Sequence, residues 1–221
     1  MSTCYMCDQE ATTMEHAPPK CIFPEKKDLS SYDDYRQGLI TVPSCEEHNT
    51  TKSKDDEYLL YLLAASATSS VIGLNQFLTK VKRSAERKPG LMVMVASNAK
   101  PAQIFDFDKN LWEEGLGIYV DAPRIDTTLS KCARALYFHE TQRKFSGAVK
   151  VITPFTQYID SQFNATVSSA LAQAEDFFAI HPSFGNNPDV FCYKFTEGEN
   201  TAMMLLYFYT STKILVQLDK R

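Results

Sequence analysis

The sequence predicts an α+β fold class in two parts, a small zinc-stapled module over residues 1–60 and a mixed α+β domain over residues 61–221. Three observations support this prediction. Cysteine and histidine residues stand at metal-ligand spacing in the first part. The composition shifts towards apolar residues near position 60, and after that point helical and strand-like apolar patterns alternate along the chain.

The bulk composition restricts the class of protein. The chain is 44% hydrophobic and 12% aromatic, which is enough for a buried core and excludes a disordered chain. No stretch reaches the ~18 apolar residues of a membrane span, and the first residues lack the basic and apolar regions of a signal peptide. We therefore expect a cytoplasmic protein with no membrane partner, whose six cysteines are thiols or metal ligands rather than disulfides.

Charge is distributed unevenly along the chain. The formal net charge is −4, and residues 1–58 hold six Lys and Arg against twelve Asp and Glu. The remaining residues hold seventeen Lys and Arg against fifteen Asp and Glu. An acidic first part can hold metal ions but disfavours tight, indiscriminate binding to nucleic acid. Phosphate contacts would then have to come from elsewhere in the chain or from a partner subunit.

Four residues in the first part have the spacing of a zinc site. Cys4 and Cys7 form a C-x2-C knuckle, and Cys45 and His48 form a C-x2-H pair on one face of a predicted helix. Three thiolates and an imidazole suit a closed tetrahedral Zn²⁺ site, and zinc would supply folding energy that so small a module lacks. Cys21 remains open as an alternative ligand, and the other two cysteines are interpreted as buried thiols.

Two helices are predicted around the composition shift. Ser44 is the expected N-cap of the first, with Glu47 three residues later as in a capping box, and this helix would run towards Ala67. The second would span residues 74–87, with an inward face formed by Leu74, Phe77, Leu78 and Val81. A basic stretch in this helix is a candidate for contacts with the DNA backbone, although a solvated helix face explains it equally well: Lys80, Lys82, Arg83, Arg87 and Lys88.

The remaining chain is predicted to combine helices with an antiparallel sheet. Helices are expected over residues 125–141 and near 159–179. The first of these has an inward face formed by Ile125, Leu129, Cys132, Ala133, Leu136 and Tyr137. Strands are expected over residues 91–96, 102–107, 116–120, 148–153, 190–195, 202–209 and 213–218. The role of this larger domain stays open between oligomerisation, substrate binding and partner binding.

A second motif lies between the two halves of the zinc pattern. It reads Met14-Glu15-His16-Ala17-Pro18-Pro19-Lys20, and Asn49 follows the second half directly. Together the elements C-x2-C, acid-His-x-Pro-x-Lys and V-P-x-C-x2-H-N-x2-K-S resemble the HNH endonucleases. The resemblance covers residues 4 to about 58 and is closest to a bacterial subgroup. It implies a treble-clef-like ββα-metal module, in which a hairpin and a helix clasp one catalytic divalent ion.

The resemblance implies a role for each residue of this motif. His16 would be the general base that deprotonates the attacking water, and Glu15 and Asn49 would hold a catalytic Mg²⁺ or Mn²⁺ ion. Lys52 and Lys20 would contact the substrate. Two further residues, Ser53 and Asp56, share the helical face of Asn49 and could extend the shell of metal ligands.

The sequence departs from the HNH pattern in two places. The central slot, usually an Asn that holds the loop carrying the base, falls in Gln37-Gly38-Leu39-Ile40, so the role could pass to Gln37. The slot at position 15 usually holds Asp or His, and here it holds Glu. The expected function is hydrolysis of phosphodiester bonds, with DNA favoured, in a setting of phage or mobile-element defence. The alternative is a noncatalytic zinc module that binds nucleic acid or a partner protein, with or without homo-oligomerisation.

Overall fold

A computed structural model describes residues 2–29, 33–50, 53–66, 70–87, 90, 93, 99–106, 111–117, 120–155 and 161–220. These residues form the mixed α+β architecture that the sequence predicts. Within them, none of the helices combines the length and the apolar character that crossing a membrane requires. The strand predicted over residues 91–96 lies almost wholly outside the described residues.

The N-terminal part begins with two short antiparallel strands followed by a helix. The strands are β1 (Thr13–His16) and β2 (Thr41–Ser44), and the helix is α1 (Glu46–Thr50). In the register of the pair, Glu15 lies opposite Val42 and His16 lies opposite Thr41. Two short 3₁₀ turns, over Lys20–Ile22 and Lys26–Asp28, occupy the connection between the strands. The hairpin and the helix are therefore adjacent in the order β, β, α.

The predicted N-cap at Ser44 is wrong by one residue. Ser44 is the last residue of β2, and its carbonyl oxygen accepts hydrogen bonds from the Thr12 amide (3.1 Å) and the Thr13 hydroxyl (2.9 Å). The first helical hydrogen bond runs from the Asn49 amide to the Cys45 carbonyl (3.2 Å). Strand pairing satisfies the Ser44 backbone, so α1 begins after Cys45 rather than after Ser44.

Four consecutive helical segments follow. They are α2 (Ser53–Ser66), α3 (Val71–Gln76), a π-helical segment (Phe77–Val81) and α4 (Lys82–Arg87). The last three form one continuous helix that packs along α2. Ser70 caps the start of this helix, because its hydroxyl oxygen accepts a hydrogen bond from the Gly73 amide.

The predicted inward face of the second helix is wrong except at Val81. Leu74, Phe77 and Leu78 are 41%, 36% and 57% exposed, whereas the buried positions are Gly73, Gln76 and Val81. The π-helical turn adds a residue and rotates the face that meets α2. Gln76 can be buried because its Nε2 atom donates to the Ile22 carbonyl at 2.6 Å.

A hairpin connects this helix to the rest of the chain. Its strands, β3 (Lys100–Asp106) and β4 (Leu111–Gly117), are antiparallel and form a two-stranded sheet of their own. β4 begins five residues earlier than the strand predicted over 116–120.

The C-terminal part is a five-stranded antiparallel sheet with one helix on each side. The helices are α5 (Ala122–Thr141), whose predicted inward face is buried as expected, and α6 (Ser161–Phe178). The strand order is β5-β9-β8-β7-β6. The strands are β5 (Ala148–Ile152), β6 (Ser183–Asn187), β7 (Phe191–Glu197), β8 (Thr201–Phe208) and β9 (Thr212–Asp219).

One hydrophobic cluster extends from the N-terminal hairpin through α5 to the sheet. A hydrogen bond inside this core joins the two parts: the buried Tyr209 hydroxyl donates to the Ile22 carbonyl at 2.7 Å. Tyr209 lies in the turn between β8 and β9, where Tyr209 and Thr210 have φ angles of 50° and 62°. Residues other than glycine seldom adopt this left-handed conformation, so it is maintained here by surrounding structure.

Candidate metal centre

The four residues of the zinc pattern come together in the structure. Their ligand atoms, the sulfur atoms of Cys4, Cys7 and Cys45 and a ring nitrogen of His48, all lie within 4.8 Å of one another. His48 Nδ1 lies 3.6 Å from Cys4 Sγ, 3.5 Å from Cys7 Sγ and 3.1 Å from Cys45 Sγ. The sulfur atoms of Cys7 and Cys45 are 3.8 Å apart.

These separations agree with the edges of a zinc tetrahedron. With usual Zn–S and Zn–N bond lengths, tetrahedral coordination places two sulfur atoms about 3.8 Å apart and a sulfur and a nitrogen about 3.6 Å apart. The distance between Cys45 Sγ and His48 Nδ1, 3.1 Å, is about 0.5 Å shorter than this edge. Cys4 and Cys45 are buried and the other two ligands are half-buried. The donor set and its geometry fit a structural metal ion such as Zn²⁺.

Backbone hydrogen bonds hold the two halves of the cluster together. The Tyr5 amide donates to the Pro43 carbonyl at 2.8 Å, which fixes the knuckle beside β2. The Cys4 amide donates to the Gln9 carbonyl at 2.9 Å and closes the knuckle loop. From the far side, Lys144 Nζ donates to the Cys7 carbonyl at 2.7 Å. The C-terminal part thus also supports the geometry of the knuckle.

The protonation of the thiols depends on their neighbours. Burial opposes a thiolate at Cys4, but the amides of Met6, Cys45 and Cys7 favour it, and the pKa of Cys4 falls from 9.0 to about 6. At Cys7 an amide hydrogen bond from Gln9 lowers the pKa, yet partial burial and the adjacent sulfur atoms raise it on balance. Crowded sulfur atoms resist carrying several negative charges, and a cation at their centre removes this repulsion.

Cys21 does not belong to the metal cluster. Its thiol donates to the Asp56 carbonyl at 3.4 Å, and burial, with a smaller effect of the Asp56 charge, raises the pKa of Cys21 to about 12. A thiol that resists ionisation is a poor metal ligand. Its alternative role as a zinc ligand is therefore not supported. Of the two cysteines predicted to be buried thiols, Cys132 is buried and Cys192 is only half-buried.

The residues of the acid-His motif lie on β1. Glu15 is 3% exposed and shares the buried face of the hairpin with Val42. His16 is half-buried at the last residue of the strand, and its position opposite Thr41 places it on the other face. The chain beyond it stays paired for one more residue, because the Ala17 amide donates to the Ile40 carbonyl at 3.0 Å.

Asn49 connects α1 to the strand that carries this motif. Its Nδ2 atom donates to the Thr13 hydroxyl at 3.0 Å and to the Met14 carbonyl at 3.4 Å. Thr13 shares a face of β1 with Glu15. Helix α1, which supplies the ligand His48, is therefore attached by its next residue to the Glu15 side of the hairpin.

Tyr5 is a component of this region that the sequence analysis did not single out. Its side chain is 1% exposed, and its hydroxyl has no hydrogen-bond partner within the described residues. Burial first, and then the charges of Glu15, Cys132, Cys4 and Asp56, raise the pKa of this phenol well above its ordinary range. The two carboxylates therefore act on the same buried hydroxyl. A tyrosine between two cysteines carries no signal that would distinguish it from a spacer.

The loop expected to hold the central HNH residue is fastened by the C-terminal sheet. Gln37 Nε2 donates to Asp34 Oδ2 at 3.2 Å. The carbonyls of Gln37 and Gly38 accept hydrogen bonds from Asn187 Nδ2 (3.0 Å) and Asn186 Nδ2 (2.9 Å). Gly38 has a φ of 62°, and a Cβ there would lie 2.5 Å from Asn186 Nδ2, so only glycine permits this approach.

The resemblance assigns two lysines, Lys20 and Lys52, to substrate contact. Lys20 is exposed at the start of the first 3₁₀ turn, four residues after His16. Lys52 lies outside the described residues. Of the predicted site residues, the structure brings the four zinc ligands together and attaches Asn49 to β1.

Comparisons of the chain with protein-family models, with curated proteins and with solved structures found no match.

Proposed function

We propose that this chain is a metal-dependent nuclease of the HNH type, which hydrolyses phosphodiester bonds in nucleic acid, with DNA as the favoured substrate. One observation carries the proposal. Helix α1 supplies the cluster ligand His48 and also carries Asn49, whose side-chain amide bonds directly to β1, the strand of the hairpin that holds Glu15 and His16. A structural metal that fixes this helix against this hairpin favours a preorganised site beside it.

Each residue of the proposed site has a chemical role. His16 accepts the proton of the attacking water, a task for which a neutral imidazole is suited near neutral pH. Glu15 and Asn49 supply oxygen ligands for Mg²⁺ or Mn²⁺, which when bound polarises the scissile phosphate. Lys20, exposed in the connection that follows β1, contacts a phosphate of the strand in this proposal.

The hydrogen bonds to the central loop offer a substitute for the missing asparagine. In the HNH pattern that residue holds the loop near the base, and here Asn186 and Asn187 bind the carbonyls of Gly38 and Gln37. The same loop leads into Ile40, whose carbonyl accepts the Ala17 amide directly after His16. The proposal therefore assigns the role of fixing the loop to the C-terminal sheet rather than to Gln37.

Removal of the proposed base tests the catalytic role. Purified wild-type protein and the His16→Ala variant are incubated with plasmid DNA and with RNA, with and without Mg²⁺ or Mn²⁺. Loss of a general base should slow ion-dependent cleavage about 100-fold or more. The matched control is His139→Ala, which removes an exposed histidine at the end of α5.

Zinc content measured on both variants keeps loss of the fold separate from loss of catalysis. Equal cleavage by the wild-type protein and the His16→Ala variant, with zinc retained in both, would contradict the catalytic assignment.

A noncatalytic zinc module that binds nucleic acid or a partner is the second candidate. It is favoured by one observation: among the described residues, Cys4, Cys7, Cys45 and His48 form the only group of three or more His, Cys, Asp and Glu ligand atoms close enough to hold an ion. This candidate predicts that purified protein cleaves neither substrate with any divalent ion yet still forms a complex.

A further inference from the structure

A basic pocket lies between the start of α2, the π-containing helix and the connection that follows β1. We use the name basic pocket for this cavity of about 330 Å³. Its volume is in the range of small-ligand sites. Its lining residues that bear charge are five cations and two carboxylates: Lys27, Lys54, Lys80, Arg83, Arg87, Glu25 and Glu57.

The sign of this charge is opposite to that of the chain as a whole. The pocket has three more positive than negative side chains, whereas the chain has a net charge of −4 and residues 1–58 are strongly acidic. Both carboxylates already have partners. Glu25 lies near three cations, and Glu57 accepts hydrogen bonds from the Tyr61 and Ser84 hydroxyls. The positive charge is therefore concentrated where the negative charge is largely compensated.

Lys80 lies at the inner side of the basic pocket. It belongs to the π-helical segment, a rare conformation that often occurs at functional sites. Its side chain is only 18% exposed, and its Nζ atom donates to the Cys21 carbonyl at 2.9 Å and lies 3.8 Å from Glu25 Oε1. Burial lowers the pKa of Lys80. An ammonium group held with so little hydration gains from an additional anionic partner.

The other four cations of the pocket differ in whether they already have an anionic partner. Arg83 is engaged in a two-point contact with Asp28, at 2.7 and 2.6 Å, and Lys27 lies 2.5 Å from Glu25. Lys54 and Arg87 are exposed, and neither has an ion-pair partner within the part of the chain that the structure describes. Together with Lys80 they line the cavity from two elements, α2 and the π-containing helix.

The pocket is close to the proposed catalytic residues along the chain. Cys21, in its wall, follows His16 by five residues. Five residues span at most about 17 Å even when fully extended. Successive phosphates of one DNA strand advance about 3.4 Å along the helix axis. A strand that runs from His16 towards the basic pocket would cover this distance within about five nucleotides.

We propose that the basic pocket binds backbone phosphates of the nucleic-acid strand, with Lys54, Lys80 and Arg87 as the contacting groups. The identity of the ligand rests on the proposed nuclease function, whereas the site rests on the arrangement of these cations. The pocket would supply phosphate contacts in addition to the one proposed for Lys20.

The test measures binding in a catalytically disabled background. Fluorescence anisotropy of a labelled DNA duplex is recorded over a range of salt concentrations for His16→Ala and for His16→Ala carrying Lys54→Ala and Arg87→Ala. Loss of two phosphate contacts should reduce the slope of log affinity against log salt by about two, and weaken binding about 30-fold at ~0.15 M salt. The control carries Lys100→Ala and Lys150→Ala, which remove two exposed lysines outside the pocket.

The outcomes separate this proposal from the nuclease assignment. Weaker binding and a smaller slope only in the pocket variant support the proposal, whether or not the wild-type protein cleaves DNA. If the pocket and control variants bind DNA equally, the proposal is overturned even where cleavage by the wild-type protein stands. A titration with a deoxynucleoside monophosphate completes the test. Binding of it that is lost in the pocket variant, with DNA affinity unchanged, would also overturn the proposal.

Discussion

The zinc module at the N-terminus and the five-stranded C-terminal sheet are stabilised in different ways. Strands β1 and β2 have four residues each, and the ligand cluster joins the segments around them. The sheet buries consecutive apolar residues of its central strand, because helices cover both of its faces: Met204, Leu205 and Leu206. We therefore expect stability to depend on a metal ion in the first region and on packing in the second.

Removal of one zinc ligand is expected to have the largest effect. Cys45→Ser should abolish zinc binding and with it a contribution of about 10 kcal/mol or more to folding of the module. Amide hydrogen exchange should become fast over residues 2–50 and remain slow in β7, β8 and β9. Metal analysis and exchange mass spectrometry provide the measurements.

Cys192→Ser is the matched control for this change, since Cys192 is a half-buried thiol of β7 outside the cluster. If Cys45→Ser retains one zinc ion, or if the two variants exchange alike, the assignment of a structural metal to the four ligands fails.

A cavity created in the sheet should have an intermediate effect, which lowers the stability of the sheet and leaves zinc binding intact. Leu206 is fully buried in β8, and Leu206→Ala should lower the free energy of unfolding by about 2–5 kcal/mol while zinc content stays unchanged. Denaturant unfolding and metal analysis test this, with exposed Lys150→Ala as a surface control. Loss of zinc at denaturant concentrations where the sheet is intact would show that the two regions are coupled more tightly than this comparison states.

The smallest expected effect concerns the hydrogen bond that joins the two regions. Tyr209→Phe removes the buried bond to the Ile22 carbonyl and should cost about 1 kcal/mol, because that carbonyl keeps its second hydrogen bond, from Gln76 Nε2. The control is Tyr207→Phe, whose hydroxyl makes no hydrogen bond within the described residues. Hydrogen exchange at residues 20–28 should increase only in the Tyr209 variant. Equal exchange in both would mean that the bond does not fix this segment.

Local patterns predict those parts of the molecule that depend on local spacing. The zinc ligands could be assigned because C-x2-C and C-x2-H spacing itself brings ligand atoms together. The inward face of α5 could be assigned because its apolar residues follow an uninterrupted helical period. In the helix before it, the π-helical turn and the buried Gln76 interrupt the match between the apolar period and the buried face. Leu74, Phe77 and Leu78 are therefore exposed, although the period predicts them to be inward.

Contacts between distant residues could not be predicted from one sequence. Asn186 and Asn187 bind the loop at Gln37 and Gly38 across about two thirds of the chain, and no local pattern connects them. Strand β6, which carries both asparagines, was not predicted because Gly185 interrupts its alternation and shifts its register with β7. The basic pocket was visible only as a run of cations, without the Cys21 and α2 walls that make it concave.

The bond from Tyr209 also has a consequence for the order in which the protein is completed during synthesis. The donor and acceptor are separated by 187 positions, so a ribosome must make nearly the entire chain before the bond can form. The four zinc ligands are all present after the first 48 residues and can bind metal much earlier. The metal-bound head is thus available early in translation, whereas the connection behind the proposed base is fastened only when the last hairpin emerges. A nascent or truncated chain that ends before this hairpin would therefore have the four ligands of the cluster but not this bond.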